Sequence, residues 1–591
     1  PNDIYITLQT EKIEIPKRQK KLQELQIFLQ NQTSPILLKD LKTFGFSKEL
    51  IEKAMDLNLI RSLEKPKEWI IESQQVSDIE LNSEQQIALD AIEFSLFAIY
   101  LLKGVTGSGK TEVYIEAIKK TLAKGQQVLM LVPEIGLTPG LHQRLQKRLN
   151  LPIQIFHSSL TEKQRYEHWI MAYHGQAKVI LGTRSAIFAP LPNLGLVIVD
   201  EEHDLSFKQQ EGVRYSAKDA VMMRAKLHNI PVLLGTATPT LETFYNAQKG
   251  RYQLLALTQK ALSSTALCYH LVDLRRQKVQ HGIADETLQL IQKHLDLKQQ
   301  VLVFINRRGY APLLFCHDCG SSIECKRCDA NMTVYRSKYQ LICHHCGYGQ
   351  KTPEQCAKCF SNQLMPIGVG TEQVYDYLTH FFPSHSVLRF DRDVIKNKIQ
   401  LEEGLQKIQD KQANIIVATQ MLAKGHHFSD LSLVVILDGD SGFYQADFRA
   451  LERLGQMVTQ VSGRAGRESI AGEVCIQTHL PQHPLLLTLI QKGYEPYIEQ
   501  LLKQRQEAQL PPFSYLALLR IQGKHAPSVI AFVKNLAQEM KTLSIEFWGP
   551  SPAPIERKAD VHRWQLVVKS SQRDVLHHQL AKMSFWLKHH C

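Results

Sequence analysis

Gly104-Val105-Thr106-Gly107-Ser108-Gly109-Lys110-Thr111 stands directly behind an apolar run at 97–102. The eight residues fit G-x-x-x-x-G-K-[ST]. In that pattern the glycines let backbone N–H groups wrap phosphate oxygens at a helix N-terminus, where the dipole favours negative charge. Lys110 is placed to reach the β and γ phosphates, and the Thr111 hydroxyl to hold Mg2+. The ligand expected here is ATP with Mg2+, cradled by Gly104, Gly107 and Gly109.

The strand that precedes this loop is one of many. Short apolar, β-branched runs recur at 97–102, 128–132, 179–181, 196–199 and 232–234, and a second series follows at 301–305, 415–417, 434–437 and 474–477. Amphipathic stretches separate them, so the runs read as buried parallel strands alternating with helices. Two successive series predict two α/β lobes.

Asp200-Glu201-Glu202-His203 closes the fourth run of the first series. An acidic pair leaving a buried strand is unfavourable unless it meets a cation or an ordered partner. Asp200 is expected to orient Mg2+ through water and Glu201 to activate the attacking water. An acidic surface turn is the alternative. In the second lobe, Gln460-Val461-Ser462-Gly463-Arg464-Ala465-Gly466-Arg467 fits Q-x-x-G-R-x-x-R. Arg464 and Arg467, one turn apart on one predicted helical face, can meet the developing γ-phosphate charge. Nucleotide binding would then draw the lobes together and hydrolysis would part them, which is the behaviour of a motor.

Composition fits this reading. At about 150 residues per domain, 591 residues allow roughly four domains. With 44% hydrophobic and 22% charged residues, wholesale disorder and fibrous repeats are excluded. Lys and Arg number 70 against 58 Asp and Glu, a net +12 that favours a polyanionic partner. No apolar run reaches the roughly 18 residues of a membrane helix, and the chain opens without a secretion-signal pattern. A cytoplasmic protein with no membrane partner is expected. The first residue is Pro, so the chain reads as trimmed or processed.

Residues 1–80 read as a small helical module. Apolar residues keep helical spacing at 17–29, Ser34-Pro35 opens a second short helix, and Ser47 caps a third running to about 57. With Leu59-Ile60-Arg61-Ser62-Leu63 behind them, these helices suit a winged-helix-like reader of duplex DNA. A helical packing domain without DNA contact fits the same residues. Eight of the 11 cysteines lie between Cys316 and Cys359, all in Cys-x-x-Cys pairs, which reads as metal binding rather than disulfides.

The phosphate loop, Asp200-Glu201-Glu202-His203, Thr236-Ala237-Thr238 and Q-x-x-G-R-x-x-R together resemble a superfamily 2 helicase. Longer strings sharpen the likeness: Leu131-Val132-Pro133-Glu134-Ile135-Gly136-Leu137-Thr138-Pro139, Gly182-Thr183-Arg184-Ser185-Ala186, Asn306-Arg307-Arg308-Gly309-Tyr310, Gln420-Met421-Leu422-Ala423-Lys424-Gly425-His426-His427-Phe428 and Asp447-Phe448-Arg449-Ala450. With the cysteine-rich insertion, the chain is similar to the primosomal replication-restart helicases from about residue 15 to its end. The resemblance implies two RecA-like lobes and a DNA-dependent ATPase moving 3′ to 5′ on single strands. It also implies binding at stalled or abandoned forks, reloading of the replicative helicase, and an adenine-reading role for Gln85. Members usually begin with a domain that captures a nascent 3′ end, and none is expected ahead of the first module here.

The expected domains are 1–80, winged-helix-like; 81–258, the ATP-binding lobe; 259–311 with 367–484, the second lobe; 312–366, the zinc insertion; and 485–591, an α+β domain for DNA or partners. That last segment is basic, with Arg557, Lys558, Arg563 and Trp564 as candidates for a branch point or an acidic peptide of single-strand-binding protein. Other primosome proteins are further expected partners. A zinc-bearing scaffold whose ATPase is only regulatory is the alternative reading.

Between Asp204 and Ser216, Phe207, Arg214 and Tyr215 mix aromatic and basic character beside the acidic turn. Bases can stack on Phe207 or Tyr215 while Arg214 and Arg184 contact phosphate, each stack contributing about 1–3 kcal/mol. The cysteine spacing is Cys316-x2-Cys319-x5-Cys325-x2-Cys328-x14-Cys343-x2-Cys346-x9-Cys356-x2-Cys359, four half-sites for two Zn2+. They combine in three ways. The nested way joins Cys325, Cys328, Cys343 and Cys346, and separately Cys316, Cys319, Cys356 and Cys359. It is favoured because it keeps the insertion's two ends together, and the resembling family has it too. All-thiolate sites of this kind are structural.

Overall fold

The computed structural model describes residues 3–8, 19–30, 36–38, 41, 44–57, 59–65, 80–105, 107–133, 138–158, 160–259, 267–305, 313–316, 319, 321, 323–328, 332–335, 340–343, 348–367, 370–391, 393–419, 431–445, 447–466 and 472–590. The chain forms two compact units. One comprises Pro1–Ile79, Ile115–Val197 and Lys208–Ile230, the other Glu80–Tyr114, Ile198–Phe207 and Pro231–Cys591.

The first unit begins with strands Asp3–Leu8, Ile36–Leu37 and Ile60–Lys65, antiparallel, with Asp3–Leu8 in the middle. Helices Lys20–Gln30 and Lys48–Asp56 pack on each other through Leu22, Leu25, Leu29, Ile51 and Ala54. Ser47 caps the second of these helices, its side chain accepting from the Leu50 N–H. Ile36–Leu37 is a short strand paired with Tyr5 and Ile6, and Leu38 and Leu41 behind it are helical, so the second helix opens later than the sequence predicts. Ser34 and Pro35 lie outside the described residues.

The same unit carries parallel strands in the order Leu194–Asp200, Gln127–Leu131, Val179–Gly182, Ile153–Phe156. Their residues are buried on both faces, which is why most of them read as unbroken apolar runs.

The second unit takes up the end of Leu194–Asp200. There the parallel order is Leu194–Asp200, Val232–Thr236, Ile99–Gly104, Gln253–Leu257. A further all-parallel sheet runs Cys268–Asp273, Glu473–Thr478, Leu431–Ile436, Gln300–Phe304, Ile415–Ala418, Val387–Phe390. Alternate residues of its central strands enter two separate cores: Leu302, Phe304, Val434 and Ile476 on one face, Val301, Val303, Val435 and Cys475 on the other. A sheet covered on both faces is the α/β arrangement the run pattern predicts.

The cysteine-rich segment is a five-stranded antiparallel sheet ordered Gly349–Lys351, Gln340–Ile342, Thr333–Tyr335, Leu313–Cys316, Leu364–Ile367. Leu313–Cys316 and Leu364–Ile367 pair directly, so the two ends of the insertion leave side by side. After helices Pro484–Lys492 and Tyr494–Glu507 the chain ends in an α+β domain. Its strands are ordered Tyr515–Gly523, Val561–Ser570, Phe547–Lys558, backed by helices Ala526–Thr542 and Arg573–His590.

Candidate nucleotide site and metal centre

Strand Ile99–Gly104 delivers the chain into the glycine loop, and helix Lys110–Ala123 leads it out. Gly107 and Gly109 sit at φ +84° and +79°, a region open to glycine at little cost, which is what a tight phosphate-binding turn asks of these two positions. Lys110 Nζ donates to the Gly104 carbonyl at 2.9 Å, folding the cation over the loop. Gln85 braces the loop from outside. Its Nε2 donates to the Ser108 carbonyl at 2.9 Å, while its Oε1 accepts the Asn82 N–H in a capping box. Both ends of the Gln85 amide are therefore engaged by protein in this structure.

The acidic turn follows the end of Leu194–Asp200. Asp200 Oδ1 accepts from the Tyr114 hydroxyl at 2.9 Å. Burial, then repulsion from Glu201, pushes the Asp200 carboxyl up to about 6, with Lys110 and the Tyr114 hydroxyl pulling the other way. Tyr114 is held well above its ordinary value by burial and by Asp200. Glu201 sits at φ +48°, a strained conformation for a side chain with a Cβ, and its Oε2 is buried without a hydrogen-bond partner among the described residues. The Glu201 Oε2, 3.6 Å from His203 Nδ1, and the neighbouring Asp200 carboxylate are oxygen donors suited to a hydrated divalent cation.

Glu202, by contrast, is occupied. It accepts from the Thr240 N–H at 2.8 Å and the Thr243 hydroxyl at 2.9 Å, capping helix Leu241–Gln248. His203 points the other way. Its Nδ1 lies 2.8 Å from Thr236 Oγ1 and its Nε2 2.6 Å from the amide nitrogen of Gln460, on helix Ala450–Ser462. The acidic turn, the Thr236-Ala237-Thr238 segment and the Q-x-x-G-R segment thus meet at one imidazole.

That helix ends at Ser462, with Gly463 as its C-cap. Arg464 is buried in the turn beyond it, so this arginine lies past the helix rather than on the helical face that the sequence predicts for it. Two glycines explain the ending: Gly463 closes the helix, and Gly466, at φ +66°, turns its N–H onto the Leu431 carbonyl. Arg467 lies outside the described residues, as do Thr106, Asn306 to Tyr310, His426 and His427.

A buried charge cluster backs this helix. Glu452 accepts from the Leu241 N–H at 3.0 Å and from Arg505 at 3.2 Å, while Arg449 pairs with Glu242 at 2.6 Å. Arg449 and Arg505 both lie over the Phe448 ring, at 4.9 and 4.4 Å. Tyr494 donates to the Pro239 carbonyl at 2.9 Å.

Of the expected nucleic-acid residues, Phe207 is only 3% exposed, in a short 3-10 turn. Its ring fills core and is not a stacking surface, which corrects the sequence expectation. In the other unit Arg214 is exposed on an excursion closed by the Lys208–Ser216 bridge. Tyr215 is half-buried, its hydroxyl against the Arg184 carbonyl at 3.4 Å and its ring edge-to-face with Phe188. Phe188 is 66% exposed and is the aromatic the sequence reading passed over. It lies two residues past the Gly182-Thr183-Arg184-Ser185-Ala186 string.

In the insertion, Cys316, Cys319, Cys356 and Cys359 bring their sulfurs within 4.8 Å of one another, and Cys325, Cys328 and Cys343 do the same. Sulfurs of Cys316 and Cys359 are 3.5 Å apart, and those of Cys319 and Cys356 3.6 Å. The edge of a tetrahedron with Zn–S of about 2.3 Å is about 3.8 Å, so the thiols fit zinc. Cys346 lies outside the described residues, as do His317, His344 and His345.

Comparison with known proteins fits this geometry. A DEAD/DEAH box helicase model matches residues 82–247, a PriA DNA helicase Cys-rich region model 325–351, and a primosomal protein N C-terminal domain model 506–585. The replication restart protein PriA of Haemophilus influenzae is 45% identical over 500 residues, covering 84% of this chain and 68% of the relative. The chain belongs to the PriA family. The PriA proteins of Bacillus subtilis and Synechocystis sp. are each 37% identical, over 85% and 93% of this chain and 64% and 69% of theirs. As a PriA-family chain with a DEAD/DEAH box domain, it is an ATP-dependent helicase that carries a zinc-binding Cys-rich region. Among the described residues, no helix is long and apolar enough to cross a membrane.

The PriA-family site also contains residues that motif reading left unnamed. Tyr114 lies four positions after Lys110, so the helix returns it to the same side, onto Asp200. Glu452 and Gln456 precede Gln460 by eight and four positions on one face, and both are buried. That spacing was the available signal.

Proposed function

We propose that this chain is an ATP-driven DNA helicase that moves 3′ to 5′, binds stalled or abandoned forks and starts primosome assembly. The observation that carries the reading is the His203 imidazole, held between Thr236 of one α/β lobe and Gln460 of the other. A group that touches both lobes beside the phosphate loop can report nucleotide state across them.

In this reading Gly104, Gly107, Gly109, Lys110 and Thr111 hold the triphosphate, and Gln85 reads adenine when the loop releases its amide. Thr111, and Asp200 through water, would hold Mg2+, which would supply neutralisation of the triphosphate's charge. Glu201 takes a proton from the attacking water, and Arg464 and Arg467 meet charge that develops on the γ phosphate. Arg184, Arg214, Tyr215 and now Phe188 line the path of a single strand. The eight cysteines hold two structural Zn2+ in nested sets. Single-strand-binding protein and other primosome proteins are the proposed partners, in the cytoplasm.

The test compares ATP turnover with forked DNA, single-stranded DNA, RNA and no nucleic acid, alongside fork unwinding by Lys110→Arg. DNA stimulation that falls steeply with salt, and loss of unwinding in Lys110→Arg, are expected. Unwinding that survives this substitution would leave only the scaffold reading.

A further inference from the structure

The thiolates of the two cysteine sets take their hydrogen bonds from different places. In the outer set, Cys319 and Cys356 are met by the Ser321 hydroxyl at 3.0 and 3.3 Å, and Cys356 by the Lys358 N–H at 3.4 Å. All three contacts come from the insertion itself. In the inner set, the Arg327 N–H reaches Cys325 Sγ at 3.4 Å. Cys328 Sγ, fully buried, receives the N–H of Ala559 at 3.1 Å. Ala559 is in the C-terminal domain, 231 residues away.

The donor is built for this contact. Arg557 pairs with His562 and Lys558 with Val561, so Ala559 and Asp560 form a two-residue hairpin tip between strands Phe547–Lys558 and Val561–Ser570. Both tip residues have positive φ, +52° and +63°, as a type I′ turn requires. Asn-Gly is the sequence such a turn favours, and Ala is a poor occupant of the left-handed region. The tip nonetheless holds this form, and both of its outward N–H groups are used. Ala559 donates to Cys328 Sγ, and Asp560 donates to the Arg327 carbonyl at 2.8 Å. The Asp560 carboxylate adds an ion pair to Arg327 Nε at 2.6 Å. Three contacts from one turn converge on the Cys325-Lys326-Arg327-Cys328 knuckle.

We infer that the Ala559–Asp560 turn is the outer shell of the inner metal site, so that metal retention there depends on the C-terminal domain being docked. A backbone N–H aimed at a thiolate sulfur disperses its charge and fixes its direction, and loss of such a partner typically weakens metal holding by about 10–100-fold. The outer set, supplied by its own segment, does not share the dependence. The inference rests on the two-zinc reading above.

Zinc release from the full chain to a chromogenic chelator tests it, with native mass spectrometry counting bound ions at the start and through the reaction. Asp560→Arg places like charge against Arg327 and drives the tip away. In that variant one of two ions is expected to leave about tenfold faster than in the unaltered protein, the other at its original rate. Arg327→Asp with Asp560→Arg restores the ion pair and slow release. Ala559→Asn with Asp560→Gly keeps the turn and both N–H donors, and retains both ions within about threefold of the unaltered rate. Release from Asp560→Arg that matches the unaltered chain, or that speeds both ions equally, overturns the inference. A protein that holds fewer than two ions from the outset overturns the two-zinc reading first, and the inference with it.

Discussion

Nε2 of His203 lies 2.6 Å from the amide nitrogen of Gln460, and the same imidazole meets Thr236 through Nδ1 at 2.8 Å. One ring joins the acidic turn of the phosphate-binding lobe to the helix that precedes Arg464. A buried hydrogen bond of this kind contributes about 1 kcal/mol net, more when its loss leaves a partner unsatisfied. Gln460→Ala and His203→Ala are therefore each expected to lower DNA-stimulated ATP turnover about tenfold. The double variant should be no worse than the poorer single one. Steady-state turnover measures this, and fully additive losses would mean that the two side chains do not act together.

Gln85 supports the loop that must hold phosphate. Gln85→Ala removes the donor to Ser108 and the acceptor for Asn82. The loop loses its brace before any nucleotide arrives, so KM for ATP is expected to rise about tenfold with a smaller change in kcat. A fall in kcat alone would place Gln85 in the chemical step instead.

Gly235 makes room for Tyr114. A Cβ at position 235 would land on the Tyr114 hydroxyl, the group that donates to Asp200. Overpacking of a buried site costs about 1–3 kcal/mol, so Gly235→Ala is expected to lower Tm by several degrees and to reduce turnover as Asp200 loses its donor. Tyr114→Phe removes the hydrogen bond without the clash, and should reduce turnover with little change in Tm. Calorimetry beside ATPase separates the two effects. An unchanged Tm in Gly235→Ala would show that the helix moves aside freely.

Glu452 should give the fold a pH dependence below neutrality. Burial, then repulsion from Glu242, pushes it up to about 7, opposed by Arg449, the Leu241 N–H and Arg505. Tyr494 and Tyr497 also face the group. A carboxyl raised in the folded state stabilises the fold when protonated. That contribution is whole below the unfolded value near 4.5 and is lost as pH rises through about 7. Tm of the unaltered chain should therefore fall relative to Glu452→Gln between about pH 4.5 and about pH 7 and level off above that, by roughly 2–4 °C for each kcal/mol involved. Parallel curves for the two proteins would show that Glu452 keeps one charge state throughout.

What the sequence made legible follows from burial. Central strands such as Gln300–Phe304 and Leu431–Ile436 are covered on both faces and announce themselves as apolar runs. Of the parallel strands, those without a clear apolar run, Ile153–Phe156, Gln253–Leu257, Cys268–Asp273 and Val387–Phe390, each stand last in their strand order. An edge strand is half covered and carries polar residues such as Gln154, His270 and Arg389, which break the run. At the site, motif spacing located Lys110, Asp200 and Gln460 because loop and turn chemistry is local. The burial of Phe207 has no sequence signal, because an aromatic beside basic residues looks the same whether its ring faces a base or the core. The Ala559 contact with Cys328 had no sequence signal, since a backbone N–H donor is common to nearly every residue.

The most direct test of the two-lobe engine is the position of Arg464 in a crystal structure with single-stranded DNA, Mg2+ and ADP–aluminium fluoride, which mimics the transferring phosphate. The account predicts its guanidinium within hydrogen-bonding distance of the fluoride group held over Lys110. A guanidinium turned away from that group, with the site otherwise filled and closed, would contradict it.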